Sequence, residues 1–196
     1  VFSAMSIVWD REFGFLREML VAPVRRGSIL VGKALGGATV ATLQGLLVLA
    51  LAGTVDVPYD PVMILILVLE IFLLSFTLCA MGLVVAARIQ QMQTLMGLMQ
   101  MILLPLSFLS GALYPINNLP AWLHTLVLFN PVTYAVQPVR SAVFDHVDAP
   151  PEALAELNPP ITWNGWEVPI PVQLAVVVVL GLGLLAVAIR QFDRVE

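Results

Sequence analysis

Glu70 has the clearest capacity for chemistry, because this carboxylate lies well inside the apolar stretch 62–87. An ionisable group in hydrocarbon is costly unless it is paired, protonated or facing water, so such a residue marks a transport pathway or a contact between helices. A second interpretation places Glu70 near the outer headgroups, where water would solvate it. The sequence leaves both interpretations open.

Two glutamines and a run of methionines interrupt the apolar stretches in a less costly way. Hydrogen bonds between helices, worth about 1 kcal/mol each, are the first interpretation for Gln44 and Gln100. Packing is the first interpretation for Met92, Met96 and Met99, which follow one another at helical spacing. Contact with a substrate is the second interpretation for both groups. The candidate substrate-pathway residues are Glu70, Gln100 and Met96.

The sequence does not indicate enzymatic chemistry. His124 and His146 stand alone, without the spacing of a metal site such as H-E-x-x-H, and there is no nucleophile elbow. There is also no G-x-x-x-x-G-K-[ST] loop to hold phosphates. We therefore expect no metal, no cofactor and no catalytic residue in this chain, and no ATP hydrolysis by it. The single cysteine, Cys79, excludes an internal disulfide and is expected to be a small buried hydrophobe.

Composition predicts an all-α integral membrane protein. The chain is 60% hydrophobic and 11% charged, against roughly 45–50% and 25% in an average soluble domain. A helix that spans a bilayer needs about 20 predominantly apolar residues. We expect four such spans, with Pro105 kinking the third. Their predicted bounds are 34–55, 62–87, 94–109 and 170–189.

The amino-terminal residues 1–8 have no positively charged region and no small-residue cleavage site, so they do not resemble a signal peptide. We expect them to be the end of a span whose beginning lies upstream. The whole chain, 1–196, is then a single transmembrane domain that is truncated at its amino terminus. A net charge of −4 argues weakly against a nucleic-acid partner.

The segment 9–33 holds most of the basic residues of the chain. Trp9, Phe13, Leu16 and Leu20 fall at i, i+4, i+7 and i+11, which predicts one helix with a single apolar stripe along a membrane surface. Pro23 should end that helix. Gly27 and Ser28 form a suitable stop and N-cap before the next span. The small residues Gly32, Gly36, Gly37, Ala41 and Gly45 recur on closely related faces, with G-x-x-x-G at 32 and 36, and should let another helix approach closely.

The segment 111–169 is cut by Pro115, Pro120, Pro131 and Pro138 into hydrophobic pieces too short to cross a bilayer. Such pieces predict interfacial or re-entrant helices, with Asn130 and Pro131 as the N-cap and first residue of one of them. Residues 145–169, which carry five acids, should be a water-exposed loop. The aromatic residues of this side are typical of a belt at the headgroups, with substrate stacking as the alternative. They are Tyr114, Trp122, Tyr134, Trp163 and Trp166.

Orientation follows from the basic residues. All of them except Arg140 lie on one side if the segment 9–33, the Arg88 loop and the carboxyl-terminal tail share that side. By the positive-inside rule that side is cytoplasmic.

Two motifs resemble those of a known family, the type-2 permeases of ATP-binding-cassette exporters of the daunorubicin-resistance kind. One is the cytoplasmic DREFGFLREMLVAPV…GK, and the other is SGALYPINNLPAWLHTLVLFNPVTYAVQPVR. The resemblance covers essentially the whole chain. It implies a six-span permease of which this chain lacks the first span and most of the second.

The resemblance also implies roles for both motifs. The first would be the coupling region that docks on the ATPase, through Trp9, Asp10, Arg11, Glu12, Phe13, Gly14, Arg17, Glu18 and Pro23. The second would be the external re-entrant motif, with Gly111, Pro115, Pro120, Asn130, Pro131, Tyr134 and Arg140. The implied partners are cytoplasmic ATP-binding-cassette ATPase subunits, which carry ATP and Mg, a second permease copy or paralogue, and membrane lipid.

The expected function is ATP-driven export of hydrophobic or amphipathic, drug-like small molecules across the plasma membrane by alternating access. Export of lipid or polysaccharide by the same mechanism is one alternative. A proton-coupled secondary transporter that uses Glu70 is another, although such transporters usually show internal repeats that are not detected here. A membrane anchor without transport is the third.

Overall fold

The computed structural model describes residues 2–14, 26–52, 60–112, 120–144, 158–163 and 165–195. These ranges hold seven helices and one short hairpin. The elements are α1 (Phe2–Glu12), α2 (Arg26–Ala52), α3 (Pro61–Ala86), α4 (Met92–Leu109), α5 (Ala121–Phe129), α6 (Thr133–Phe144), β1 (Thr162–Trp163), β2 (Trp166–Glu167) and α7 (Ile170–Val195).

Four of these helices, α2, α3, α4 and α7, are long and apolar enough to cross a membrane. The prediction of an all-α membrane protein with four whole spans is therefore confirmed. The bounds of α3 and α4 lie within two residues of the predicted spans. Pro105 lies inside α4, as expected.

Helix α3 is the centre of the bundle, in contact with α1, α2, α4, α6 and α7. Its start is encoded locally, because the Asp60 carboxylate accepts a hydrogen bond of 2.9 Å from the Val62 amide and Pro61 occupies the first turn. Cys79 is buried in α3, as predicted.

The described core has three apolar clusters. The first joins α1, α2, α3 and α7 around Ile7, Leu30, Leu83 and Phe192. The second joins α1, α3 and α4 around Val8. The third lies at the opposite end of α3 and α7 and includes Tyr134, Ile161, Val168 and Val177. The first two clusters fasten α1 to the long helices.

The prediction of one surface helix that runs from Trp9 to Leu20 is wrong. Trp9 lies in α1, which ends at Glu12, and Phe13 forms a turn before Gly14. Gly14 has φ of 77°, a left-handed conformation that a right-handed helix cannot contain and that glycine adopts without penalty. Leu16, Leu20 and Pro23 lie outside the described residues.

Helix α2 begins at Arg26, eight residues before the predicted span, so Gly27 and Ser28 lie inside it and are not a stop and N-cap. The predicted bound marked only the apolar run, whereas the helix extends beyond it, with Leu30 buried against α1, α3 and α7. At the other end of the chain, α7 continues through the charged tail to Val195 because Phe192 is still buried in the bundle.

The predicted close packing on the small residues of α2 is confirmed for Gly37 and Gly45 and, among the described residues, is wrong for Gly32 and Gly36. A Cβ built on either residue meets no atom within 4 Å. The close approaches occur instead at Gly37, against Ser3 and Cys79, and at Gly45, whose Cβ would lie 3.0 Å from Ile71.

The segment predicted as an exposed loop, 145–169, is partly ordered into a hairpin. Strands β1 and β2 pair in antiparallel fashion around Gly165, which has φ of 85°. Ile161 and Val168 are buried beside the strands and pack with Tyr134. The expectation of an exposed loop is therefore wrong for Ile161 and Val168, while residues 145–157 and 164 lie outside the described part of the chain.

Pro138 lies inside α6 and does not end a helix, contrary to the predicted interruption. The predicted pair of Asn130 as N-cap and Pro131 as first residue is wrong for α6, because that helix begins at Thr133. The Asn130 Oδ1 atom accepts a hydrogen bond of 3.0 Å from the Val132 amide in the turn before the helix. Of the external aromatic residues, Trp122 and Trp166 are exposed, Tyr134 is a core residue, and Tyr114 lies outside the described residues.

Tyr134 joins the hairpin to α5 and α6. Its hydroxyl donates to the Leu128 carbonyl at 2.7 Å and accepts from the Trp163 indole nitrogen at 2.9 Å. We expect Tyr134→Phe to cost about 1–3 kcal/mol, because both groups lose a partner in a largely buried place. Thermal unfolding of the purified protein measures this loss. Trp122→Phe, at an exposed position, is the control and should be neutral.

Candidate functional site

The end of α1 meets the start of α2 through a row of polar contacts. The Lys33 ammonium lies 2.6 Å from an Asp10 carboxylate oxygen and also donates to the Ser6 hydroxyl. The Ser3 hydroxyl donates to the Lys33 carbonyl at 2.8 Å. Ser3, Ser6 and Asp10 follow i, i+3, i+7 spacing, so one face of α1 is polar and faces α2.

Arg11 ties the same end of α1 to α3 and α7. Its guanidinium donates to the Ile89 carbonyl at 2.8 Å and to the Ala86 carbonyl at 3.3 Å. These carbonyls lie at and just beyond the end of α3, where the helix leaves acceptors unsatisfied and where positive charge is favourable. The guanidinium carbon also lies 6.0 Å from the centre of the Phe192 ring.

The remaining residues at this end of α1 are exposed. The exposed fraction is 52% for Trp9 and 79% for Phe13, and Glu12 and Gly14 are exposed as well. We call Trp9, Glu12, Phe13 and Gly14 the exposed tip. It combines two aromatic rings with a carboxylate, which suits binding to another protein.

A shallow depression of about 300 Å³ lies beyond the end of α3, lined by Arg88, Ile89, Gln90, Gln91 and Thr94. It belongs to the same end of the bundle, because Arg11 binds the Ile89 carbonyl. The residues that the sequence predicts to be cytoplasmic in α1, α2, α3 and α7 are therefore brought together by direct contacts. Arg17, Glu18 and Pro23 lie outside the described residues.

Lys33 also completes the spacing G-x-x-x-x-G-K with Gly27 and Gly32, but Ala34 replaces the hydroxyl residue of a phosphate loop. The segment is helical in α2, so its backbone amides do not form an open cradle, and the Lys33 ammonium binds Asp10. The geometry therefore supports a role for Lys33 in helix contacts.

The candidate pathway residues are not brought together. Glu70 is buried on α3, and its Oε2 atom has no hydrogen-bond partner among the described residues. Met96 and Gln100 are exposed on α4, one turn apart. Met99 is buried beside Val8, so the methionines do not form one face.

Gln44 is exposed on α2, and Gln100 on α4, so neither is held between helices of this chain as its first interpretation required. Two other glutamines, Gln137 on α6 and Gln173 on α7, share a hydrogen bond between helices. The sequence did not indicate this contact, because Gln173 lies at the edge of an apolar run and Gln137 lies beside a proline.

The described residues of the second motif contact one another and α4. The Asn130 amide donates to the Leu106 carbonyl of α4 at 2.8 Å, and Arg140 donates to the Ala112 carbonyl at 3.3 Å. Gly111 is buried with φ of 77°, which explains a glycine at that turn. Partial burial lowers the pKa of the Arg140 guanidinium. Pro120 is exposed before α5, Pro131 follows Asn130, and Pro115 lies outside the described residues.

No group of three or more His, Cys, Asp or Glu side chains with the spacing of a metal site occurs within the described ranges. His124 is half-buried on α5, and His146 lies outside those ranges.

The chain belongs to the ABC-2 type transporter family, whose family model matches residues 1–144. With its four apolar helices, it is a multi-pass membrane protein of the permease class. The resemblance drawn from the two motifs is therefore confirmed.

Three curated relatives support this assignment. The putative transport permease ycf38 of Cyanophora paradoxa is 31% identical over 70% of this chain and 48% of its own length. The probable multidrug ABC transporter permease YbhR of Escherichia coli strain K12 is 29% identical over 68% of this chain and 36% of its own length. The probable doxorubicin resistance ABC transporter permease protein DrrC of Mycobacterium tuberculosis is 29% identical over 71% of this chain and 51% of its own length.

The chain thus spans about half the length of these relatives or less. No solved structure matches it.

Proposed function

We propose that this chain belongs to the membrane subunit of an ATP-binding-cassette exporter in the plasma membrane, and that a separate ATPase subunit docks on the exposed tip of α1. ATP and Mg would bind to that ATPase, and alternating access would move the substrate outward. The observation that carries the proposal is the exposed tip itself, held at the end of the bundle where α1, α2, α3 and α7 are joined.

The surface chemistry of the tip supports a protein partner. The Phe13 ring is 79% exposed. Unless a partner covers it, a large apolar area stays in contact with water, which is unfavourable. Aromatic residues are enriched in protein interfaces and often dominate their binding energy. Glu12 adds a charge that can select the orientation of the partner.

The substrate we propose is a hydrophobic or amphipathic small molecule. The names of two relatives refer to multidrug transport and doxorubicin resistance, which supports a drug-like substrate for this chain as well. A second permease copy or paralogue would complete the pathway, because the pathway candidates Met96 and Gln100 are exposed on the outer face of α4. Glu70, buried without a partner for Oε2, is the residue on which the proton-coupled alternative depends.

The test is reconstitution of the complete permease with its ATPase subunit in liposomes, with doxorubicin as the probe. We expect co-purification of the two subunits and ATP hydrolysis that doxorubicin stimulates. Glu12→Lys and Phe13→Ala should weaken binding of the ATPase by about 2 kcal/mol, or roughly 30-fold, if the tip is an interface hot spot.

Two variants serve as matched controls. Asp193→Lys reverses an exposed charge on α7 at the same end of the bundle, and Phe129→Ala removes an exposed ring on α5. Both should leave binding of the ATPase unchanged. A permease that binds no ATPase, or that moves doxorubicin in response to a pH gradient alone, would refute the proposal in favour of an anchor or a proton-coupled transporter.

A further inference from the structure

The segment predicted to dock on the ATPase divides into two sets of residues by what their side chains contact. The side chains of the exposed tip are not covered by the rest of the described chain. Asp10 and Arg11 lie between tip residues in the sequence, yet their charged groups are bonded to Lys33 and to the end of α3 inside the chain. A side chain that already bonds inside the chain would have to break those contacts to bind a partner.

We propose that Arg11 and the Asp10–Lys33 pair are positioning residues, which fasten the end of α1 to α2, α3 and α7 so that force on the exposed tip moves these helices as one unit. This inference rests on the proposed function, because the force comes from the ATPase. It assigns to Asp10 and Arg11 a role inside the permease in place of docking.

A guanidinium at position 11 fits this role better than a lysine ammonium would. A guanidinium carries five N–H donors in a rigid planar fork. The Nη1 atom donates to both the Ala86 and the Ile89 carbonyl, and the Nη2 atom reaches the Ala87 carbonyl at 3.5 Å, while the group lies near the Phe192 ring. A lysine ammonium carries all its donors on one nitrogen, so it cannot reach all three carbonyls as this fork does and also stack on the ring. Arg11→Lys should therefore keep the charge and lose the fastening.

The Asp10–Lys33 pair fastens the other side of α1. The two side chains are 19% and 17% exposed, so solvent screens the pair less than an ordinary surface ion pair. Ser6 adds a second contact to the Lys33 ammonium, and Ser3 binds the Lys33 carbonyl. Motion of α1 relative to α2 would break all of these contacts together, which makes the two helices move together.

The experiment uses the complete permease, reconstituted with its ATPase subunit and with doxorubicin as the probe. Three quantities are measured for each variant: the fraction of ATPase that co-purifies, the rate of ATP hydrolysis, and the doxorubicin moved per ATP hydrolysed. For Arg11→Ala and Arg11→Lys we expect binding of the ATPase within about twofold of the parent protein and about tenfold less doxorubicin per ATP, a typical size for coupling between sites.

Charge exchange tests the ion pair. Asp10→Lys alone should lower the doxorubicin moved per ATP by about tenfold, and the double variant with Lys33→Asp should restore most of it, because the pair is rebuilt with its signs exchanged. A residue that docked on the ATPase would not be rescued by a change at Lys33. If Asp10 and Arg11 variants lose the ATPase as fully as Glu12→Lys does, or if the double variant shows no rescue, the inference is overturned.

Amide hydrogen exchange provides a measurement that does not depend on the ATPase. Arg11→Ala should reduce protection of residues 86–89 at the end of α3, while the Asp60-capped start of α3 keeps its protection. Unchanged protection at 86–89 would show that Arg11 fastens nothing. If the parent permease binds no ATPase, and Arg11→Ala still loses protection at 86–89, the proposed function is refuted but the fastening role of Arg11 is kept. If Arg11→Ala fails to fold, Arg11→Lys takes its place in both measurements.

Discussion

Replacing Gly37 by leucine is expected to destabilise the protein by about 3 kcal/mol, at the upper end of the usual cost of overpacking. A Cβ at this position would overlap the Ser3 hydroxyl and would lie 3.0 Å from the Cys79 sulfur. Room can be made only if α1 or α3 moves away from α2, and that motion also breaks the bond from Ser3 to the Lys33 carbonyl. The measurement is the unfolding free energy of the purified protein in mixed micelles.

The neighbouring glycine supplies the control. Gly36 lies on the same helix, but a Cβ there meets nothing within 4 Å in the chain. Gly36→Leu should therefore be neutral or stabilising by up to about 1 kcal/mol, since leucine is the better helix former. Equal losses for the two variants would contradict the packing described here.

A double variant refines the test. Ser3→Ala removes the hydroxyl that a Cβ on Gly37 would overlap. Combined with Gly37→Ala it should cost less than the sum of the two single changes, which is the sign of direct contact. If the costs of Ser3→Ala and Gly37→Ala simply add, the Ser3 hydroxyl is not the group that a Cβ on Gly37 strains.

Phe192→Ala is the second change with a large expected effect, a loss of about 3 kcal/mol, at the lower end of the range for buried aromatic residues. Phe192 is fully buried between α1, α2, α3 and α7. Lipid is as apolar as the protein interior, so the transfer contribution is smaller than in water. The cavity and the lost dispersion contacts remain, and the ring also leaves the Arg11 guanidinium.

Phe108→Ala is the matched control, because Phe108 is 51% exposed on the outer face of α4 and its removal leaves no cavity inside the chain. It should change the unfolding free energy by less than about 0.5 kcal/mol. We also expect Phe192→Leu to recover most of the loss, since it refills much of the space. A Phe192→Ala protein as stable as the Phe108→Ala protein would show that α7 does not close the bundle.

Features that depend on one stretch of chain were predictable from the sequence. The four spans follow from the length of apolar runs, and the start of α3 follows from Asp60 and Pro61. The turn at Asn130 is equally local, since its side chain binds an amide two residues away.

Features that depend on the facing helix were not predictable. The sequence indicates Gly32, Gly36 and Gly37 equally as positions for close packing, but only a Cβ on Gly37 would meet α1 and α3, while one on Gly32 or Gly36 would meet nothing within 4 Å among the described residues. Every small residue offers the same close approach, and only the rotation of α2 against its neighbours selects one. The hairpin around Gly165 has the same origin, because Ile161 and Val168 become core residues only where Tyr134 and α7 provide a surface.

The candidate site contains both local features and features that depend on the facing helices. The sequence by itself determined that charged and aromatic residues cluster in the segment 9–33, because composition and spacing are properties of one segment. The tertiary structure alone decided which of them bond inside the chain. Asp10 and Arg11 find Lys33 and the end of α3 at distances of 23 and about 75 residues along the chain. Contacts at such separation arise only when the helices pack, and packing leaves Trp9, Glu12 and Phe13 exposed.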